Sequence, residues 1–221
     1  MWSFRVGSGW SSGTGCASSA LPGIRGCDAA VDVQDIAGGL GRPRPGEEGD
    51  CLRDVLRKQP KNLQCGRGCS LCCYGLFEIG SADVPVIAEG LTKMHPARRK
   101  AVVARAREIY ETSDHPALRE CSPLEKDKFF DRTAATPCPN LSESGECLMY
   151  DHRPLVCRTF GLPLRDGDRY LGDVCELNFT EATQAEKDAA AWDLQWEDEL
   201  GAEDEYTIPE AIVLVARMRG W

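Results

Sequence analysis

Apolar side chains recur at helical spacing along several stretches of the chain, and the polar residues between them mark where each element starts and stops. Leu52, Val55 and Leu56 predict a short helix after Asp50. Tyr74 to Ile79 is apolar enough for a short strand, and Ser81 follows as an N-cap with Asp83 in the first turn of a helix ending near Met94. Pro96 suits the first position of the next helix, where Val102, Ala106 and Ile109 form an apolar stripe widened by Val103 and Tyr110. The opposite face carries Arg98, Arg99, Lys100, Arg105 and Arg107, which reads as a solvated flank rather than a partner surface.

Residues 112–137 contain Pro116, Pro123 and Pro137, and read as an irregular connection packed through Phe129 and Phe130. Past Cys175 a helix is expected, with Thr180 as N-cap and Ala185, Ala189, Trp192 and Trp196 along one side. Its stretch, 181–205, holds ten acidic residues against one lysine and is read as facing water rather than the basic helix, since exposed ion pairs contribute only about 0–1 kcal/mol. Thr207-Ile208-Pro209-Glu210 is a capping-box pattern, followed by Ala211, Leu214, Val215 and Met218 on one face of a closing helix. Residues 1–48 are rich in Gly, Ser, Pro and Arg without sustained periodicity, and are expected to be disordered. The expected architecture is therefore one domain over 49–221, mainly α, with short strands and irregular cysteine-rich loops gathered around a metal centre.

Charge and hydropathy narrow the functional classes. No apolar run approaches the roughly 20 residues that cross a bilayer, and the N-terminus lacks the apolar core of a secretory signal, so a cytoplasmic protein without a membrane partner is expected. The net charge of −9 argues against nucleic acid as a partner, because phosphate attraction needs a basic surface. In the cytosol thiols stay reduced, so twelve cysteines read as metal ligands rather than disulfides.

Cys65-Gly-Arg-Gly-Cys69-Ser-Leu-Cys72-Cys73 places four thiols in nine residues, and its flanking glycines, arginine and serine offer no apolar face to bury them. Glycine permits the tight turns of a metal loop. A second group, Cys138, Cys147, Cys157 and Cys175, is separated by eight, nine and seventeen residues. Cys16, Cys27, Cys51 and Cys121 stand outside these spacings and receive no role. Eight thiolates suit two tetrahedral ions, or an iron–sulfur cluster plus one further ion. Neighbouring Cys72 and Cys73 are hard to place on one small ion, so they are expected to serve different metals and to interleave the two groups. Eight thiolates around two divalent ions leave about −4 of formal charge, which needs compensating cations. Arg67, Arg153 and Arg158 lie within the motifs and are the candidates. With eight cysteines available, His152 reads as a loop residue rather than a ligand.

The first cysteine run, followed by Cys138-Pro-Asn-Leu, Cys147-Leu-Met-Tyr150, Arg153-Pro-Leu-Val-Cys157-Arg158 and Cys175, resembles the YkgJ-type cysteine-cluster family over roughly residues 60–180. The resemblance implies a zinc- or iron-chelating domain whose cysteines are the ligands, without implying a reaction. The expected function is a cysteine-cluster protein that handles zinc or iron or uses it structurally, its partners being metal ions. An iron or iron–sulfur enzyme similar to the flagellin lysine N-methylases, which carry a related motif, is the alternative. A zinc-ribbon-like interaction module is the third reading, disfavoured by the irregular spacing. No dinucleotide fingerprint, phosphate loop or Ser/His/Asp arrangement is visible.

Overall fold

The computed structural model describes residues 62–172, 175–195 and 206–221. The helix expected at Leu52–Leu56, the tail 1–48, Trp196 and the acidic run after it lie outside the described residues.

Six helices and a few short strands follow. Helix α1, Asp83–Lys93, and α2, Pro96–Thr112, meet at a sharp corner: Met94 caps α1, and His95 Nδ1 accepts the Ala97 N–H ahead of Pro96 at the first turn. Helix α1 begins after Ala82 without a side-chain cap, so Ser81 is not its N-cap. Asp83, in the first turn of α1, accepts instead from a distant segment, the Leu155 N–H.

Residues 112–137 are not irregular throughout. Helix α3 spans Pro123–Thr133, opened by a capping box in which Glu125 accepts the Ser122 N–H at 2.8 Å. Pro123 stands at the first helical position, where its missing N–H costs nothing, so it starts a helix instead of breaking one. Phe129 is fully buried with Leu76 and Leu118, as the expected aromatic anchor of this segment.

The strand read at Tyr74–Ile79 is shorter, because Gly75 takes a left-handed φ of 96° and leaves only β1, Glu78–Ile79. Helix α4 is the single turn and a half Leu155–Thr159. A hairpin of β2, Leu164–Asp166, and β3, Arg169–Gly172, turns at Gly167-Asp168, a turn signal present in the sequence. The helix after Cys175, α5, covers only Gln184–Ala190. Its cap is Thr183, boxed with Glu186, rather than Thr180. Ala185 and Ala189 face solvent, and Trp192 lies in β4, Trp192–Asp193, paired parallel to β2 at Leu164. Trp192 packs with Leu162, Phe179 and Ala190, so a sheet edge has taken the side chain that helical spacing assigned to α5.

Strand β5, Tyr206–Thr207, pairs antiparallel with β1 and runs into helix α6, Ile208–Arg219, through the Thr207–Glu210 capping box read from sequence. Its buried face is Ile208, Ala211, Ile212, Val213, Val215 and Ala216, while Met218 is 75% exposed and does not belong to it. Helices α1, α2 and α6 enclose one apolar cluster with Ile87, Leu91, Val102, Val103, Ala106 and Ile212 at its centre. The basic face of α2 is partly occupied: Arg99 stacks on Trp221 at 4.1 Å and Arg107 donates to the Trp221 carbonyl. Among the described residues no helix is long and apolar enough to cross a membrane.

His115 joins three of these elements, and its side chain is 2% exposed. Its Nδ1 faces the Pro116 carbonyl at 2.8 Å, and a carbonyl only accepts, so Nδ1 carries the proton and Nε2 accepts from the Thr207 hydroxyl at 2.8 Å. Tyr110 and Phe129 flank the ring at 5.0 Å each. Burial lowers its pKa, outweighing the opposite pull of Glu210, 3.8 Å away. The unfolded chain therefore takes up a proton first on acidification. The contribution of neutral His115 is complete above the unfolded value of 6.5 and is lost as pH falls through the folded one. Chemical denaturation between pH 7.5 and 5 is expected to show stability falling with pH, with a shallower fall in His115→Gln; equal slopes in the two proteins contradict this.

Candidate metal centre

The loops that carry the cysteines are held by backbone hydrogen bonds that the sequence motifs make possible. Gly68, at φ 93°, allows the turn in which Cys69 N–H donates to the Gly66 carbonyl. A 3-10 turn, Leu71–Cys73, then presents Cys72 and Cys73, closed by Cys73 N–H to Ser70 O at 2.9 Å. The second group docks directly on the first, because Cys138 N–H donates to the Cys73 carbonyl at 2.7 Å and Gly75 N–H to Thr136 O at 2.8 Å. Cys138 and Cys147 sit on the two arms of a small turn, with Leu148 N–H bonded to Asn140 O and Gly145 at φ 80° near its tip. Cys157 rides on α4, whose start is capped from outside: Leu155 N–H donates to Asp83 Oδ1 at 2.8 Å. Burial raises the Asp83 pKa, opposed by the N–H groups of Leu155 and Gly80 and by Arg158.

Six thiols, Cys69, Cys72, Cys73, Cys138, Cys147 and Cys157, line one cavity of about 30 Å³ together with Asn140, Tyr150 and Arg153. Three come from each group. Cys65 and Cys175 stand to one side, both next to Gly161: a Cβ on Gly161 would meet Cys65 Sγ at 3.3 Å and Cys175 Cβ at 3.4 Å. Asn178 fastens this flank. Its Nδ2 donates to Cys65 Sγ at 3.1 Å and to Gly161 O at 2.9 Å, and its Oδ1 accepts Gln64 N–H at 2.8 Å. Cys121 is remote, its thiol directed to the Ala117 carbonyl at 3.4 Å. Every described cysteine is a free thiol.

Among the described residues, no three Cys, His, Asp or Glu side chains are already set to hold a metal ion; the thiols form the walls of a cavity. Cys72 and Cys73 turn toward this same space and hydrogen-bond to each other, so adjacency has not sent them to opposite sides of the loop. That bond, followed by burial, raises the Cys72 pKa, and Arg153 opposes the rise. Burial pushes Cys138 up to about 12, against hydrogen bonds from the backbone and side chain of Asn140. Burial also raises Cys147, opposed by the Met149 N–H, Arg153 and Arg67. Cys157 lies well above the ordinary thiol value through burial and the neighbouring Cys138, Cys72 and Cys147. On the flank, loss of water pushes Cys65 up to about 11, with Asn178 working the other way and Cys175, Cys69 and Cys72 adding to it. Clustered thiols that resist ionisation next to one another need a cation between them to become thiolates, and soft divalent ions supply that charge. N–H donors already on Cys138 and Cys147 suit the same state. The donor set therefore fits zinc or iron.

The three arginines occupy different places. Arg153 lines the cavity, and its guanidinium lies 3.9 Å from the Tyr150 ring centre while Nε donates to Tyr150 O at 3.1 Å. Arg67 also stacks on Tyr150, at 4.4 Å, and its Nη2 donates to both carboxylate oxygens of Asp151, at 2.7 and 2.8 Å, on the exposed side. Arg158 braces the turn between them, donating to Arg153 O at 3.0 Å and Asp151 O at 3.2 Å. His152 is outside the cysteine cavity, 3.2 Å from Lys93 Nζ, in the wall of a second, polar cavity of about 140 Å³ that also includes Arg67, Asp151 and Cys147.

Asn140, Asn178, Asp83 and Gly161 were not singled out from the sequence. Asn140 follows Cys138 within a motif already noted, which is a local signal. Asn178 and Asp83 act across 113 and 72 residues; Asn178 follows Cys175 by three positions, but no spacing in the sequence pairs it with Cys65, or Asp83 with the segment that carries Cys157.

No curated protein and no solved structure matches the chain. A family model does, over residues 64–187, a span that begins just before Cys65 and ends beyond Cys175. That span is more than half of the chain and holds both cysteine groups, so the chain belongs to the CxxCxxCC family, described as "Putative zinc- or iron-chelating domain".

Proposed function

We propose that the chain is a cytoplasmic metal-binding protein in which Cys65, Cys69, Cys72, Cys73, Cys138, Cys147, Cys157 and Cys175 hold zinc or iron, for metal handling or as a structural centre of a domain over 49–221. The observation that carries this reading is the meeting of three thiols from each group around one cavity with Arg153 in its wall. Arg67, Arg153 and Arg158 offset the thiolate charge, Arg153 by facing the cavity and the other two by fixing the turn that carries it. The bound ion supplies the positive charge that lets adjacent thiols ionise together. The net charge of −9 speaks against nucleic acid as a partner.

A second reading, an iron or iron–sulfur enzyme related to the flagellin lysine N-methylases, draws on the polar cavity beside the cysteines, which offers space that the small thiol-lined cavity does not. Elemental and sulfide analysis of protein purified anaerobically without added metal tests both. Stoichiometric zinc in colourless protein is the expected result for a structural or handling site. Brown protein with iron and sulfide moves the conclusion to an iron–sulfur centre, and protein free of both metals under these conditions and after reconstitution removes the metal reading.

A further inference from the structure

Asn140 lies in the wall of the thiol-lined cavity, is 2% exposed, and its Oδ1 is buried with no hydrogen-bond partner among the described residues. A buried carbonyl oxygen left unpaired is destabilising, and proteins retain few of them. The other half of the amide is committed: side chain and backbone of Asn140 both hydrogen-bond Cys138. An amide N–H toward a thiolate is attractive and an oxygen toward it is repulsive, so the amide's orientation is dictated by Cys138 and Oδ1 is the group left over. The cavity, about 30 Å³, has room for an ion and a water. Phe77 and Ile208, which line the same cavity, have no side-chain donor for Oδ1.

Resting on the metal-binding reading, we propose that Asn140 Oδ1 makes a neutral oxygen contact to the metal centre, on the ion itself or on a water bound to it. In such an arrangement one coordination position is not sulfur, and Asn140 serves twice, holding Cys138 through its N–H groups and the non-sulfur position through its oxygen. A neutral donor also adds no negative charge to a site already crowded with thiolates.

The test uses the full chain loaded anaerobically with zinc alone, read by X-ray absorption at the zinc edge and by competition with a chromophoric chelator. Wild-type protein is expected to show one oxygen or nitrogen neighbour at about 2.0–2.2 Å beside sulfurs at about 2.3 Å. Asn140→Leu is expected to bind zinc roughly 10- to 100-fold more weakly. Asn140→Asp retains Oδ1 and is expected to bind more tightly than the Leu variant; it also serves if the Leu variant does not fold. Loss of the light neighbour in Asn140→Leu marks a direct ligand, whereas a light neighbour retained at weakened affinity marks a bound water. An all-sulfur shell in the wild type overturns the assignment whatever the variants do, since Asn140 then acts only through Cys138. So does unchanged affinity in Asn140→Leu. Wild-type protein that binds no zinc or iron at all removes the metal reading, and this one with it.

Discussion

Replacing Cys72 or Cys73 with serine is expected to lower metal content and melting temperature together. Both thiols line the cavity, and the two cysteine groups join at the Cys73 carbonyl, which accepts the Cys138 N–H. Structural zinc contributes roughly 10–16 kcal/mol of apparent binding free energy, much of it expressed as folding. If one ligand carries a quarter of that, its loss costs about 3 kcal/mol, or roughly 6–12 °C in a domain of this size. Serine is close in volume and keeps a hydrogen-bonding group, so packing alone predicts a far smaller change. Cys121→Ser is the control, because that thiol bonds the Ala117 carbonyl and does not line the cavity; Cys16→Ser and Cys27→Ser should likewise change nothing. Metal analysis and melting of the variants side by side decide the matter, and wild-type values for both Cys72→Ser and Cys73→Ser would strike those two residues from the ligand set.

Gly161→Ala is expected to destabilise the protein to a similar extent although it removes no functional group. Gly161 has φ 98°, and a Cβ there would stand 2.5 Å from Asn178 Nδ2. The backbone strain costs roughly 1–3 kcal/mol for a residue other than glycine. Displacing Asn178 adds more, since its amide bonds Cys65 Sγ, Gly161 O and Gln64 N–H and is buried. A total of about 3–4 kcal/mol follows, within the range for a strained site combined with a broken buried network. The variant is also expected to lose the approach of Cys65 to Cys175, seen as faster alkylation of Cys65 in metal-free protein. An unchanged denaturation midpoint and unchanged Cys65 reactivity would falsify the role given to this contact.

Much of the helical framework was legible because its signals are local. Pro96 at the first turn of α2, the Thr207–Glu210 box of α6 and the stripe Val102, Val103, Ala106 depend on neighbours three or four residues away, and the chain shows them in one dimension. The errors had equally local causes. Pro123 reads as a breaker by residue type, but its position after Ser122 and before Glu125 makes it a starter, and the Gly167-Asp168 turn of the β2–β3 hairpin is likewise set by adjacent residues. Trp192 was misplaced for a different reason: its partner, Leu164, is 28 positions away in the sequence, and parallel strand pairing leaves no local trace.

By itself the sequence determined the inventory of this protein: two groups of four cysteines in an acidic chain, the arginines among them, and the capped helices that frame them, since residue type, spacing and capping are properties of neighbours. Tertiary structure alone decided that six of the thiols share a cavity while Cys65 and Cys175 flank it, that Arg153 rather than Arg158 faces the sulfurs, and that Asn140, Asn178 and Asp83 hold the cysteine-bearing segments in place. The reason is that a cavity wall is assembled from segments more than 60 residues apart, and which side chains reach it is fixed by the packing of α1, α2 and α6 and by hydrogen bonds that cross between loops, neither of which has a period or a spacing to read.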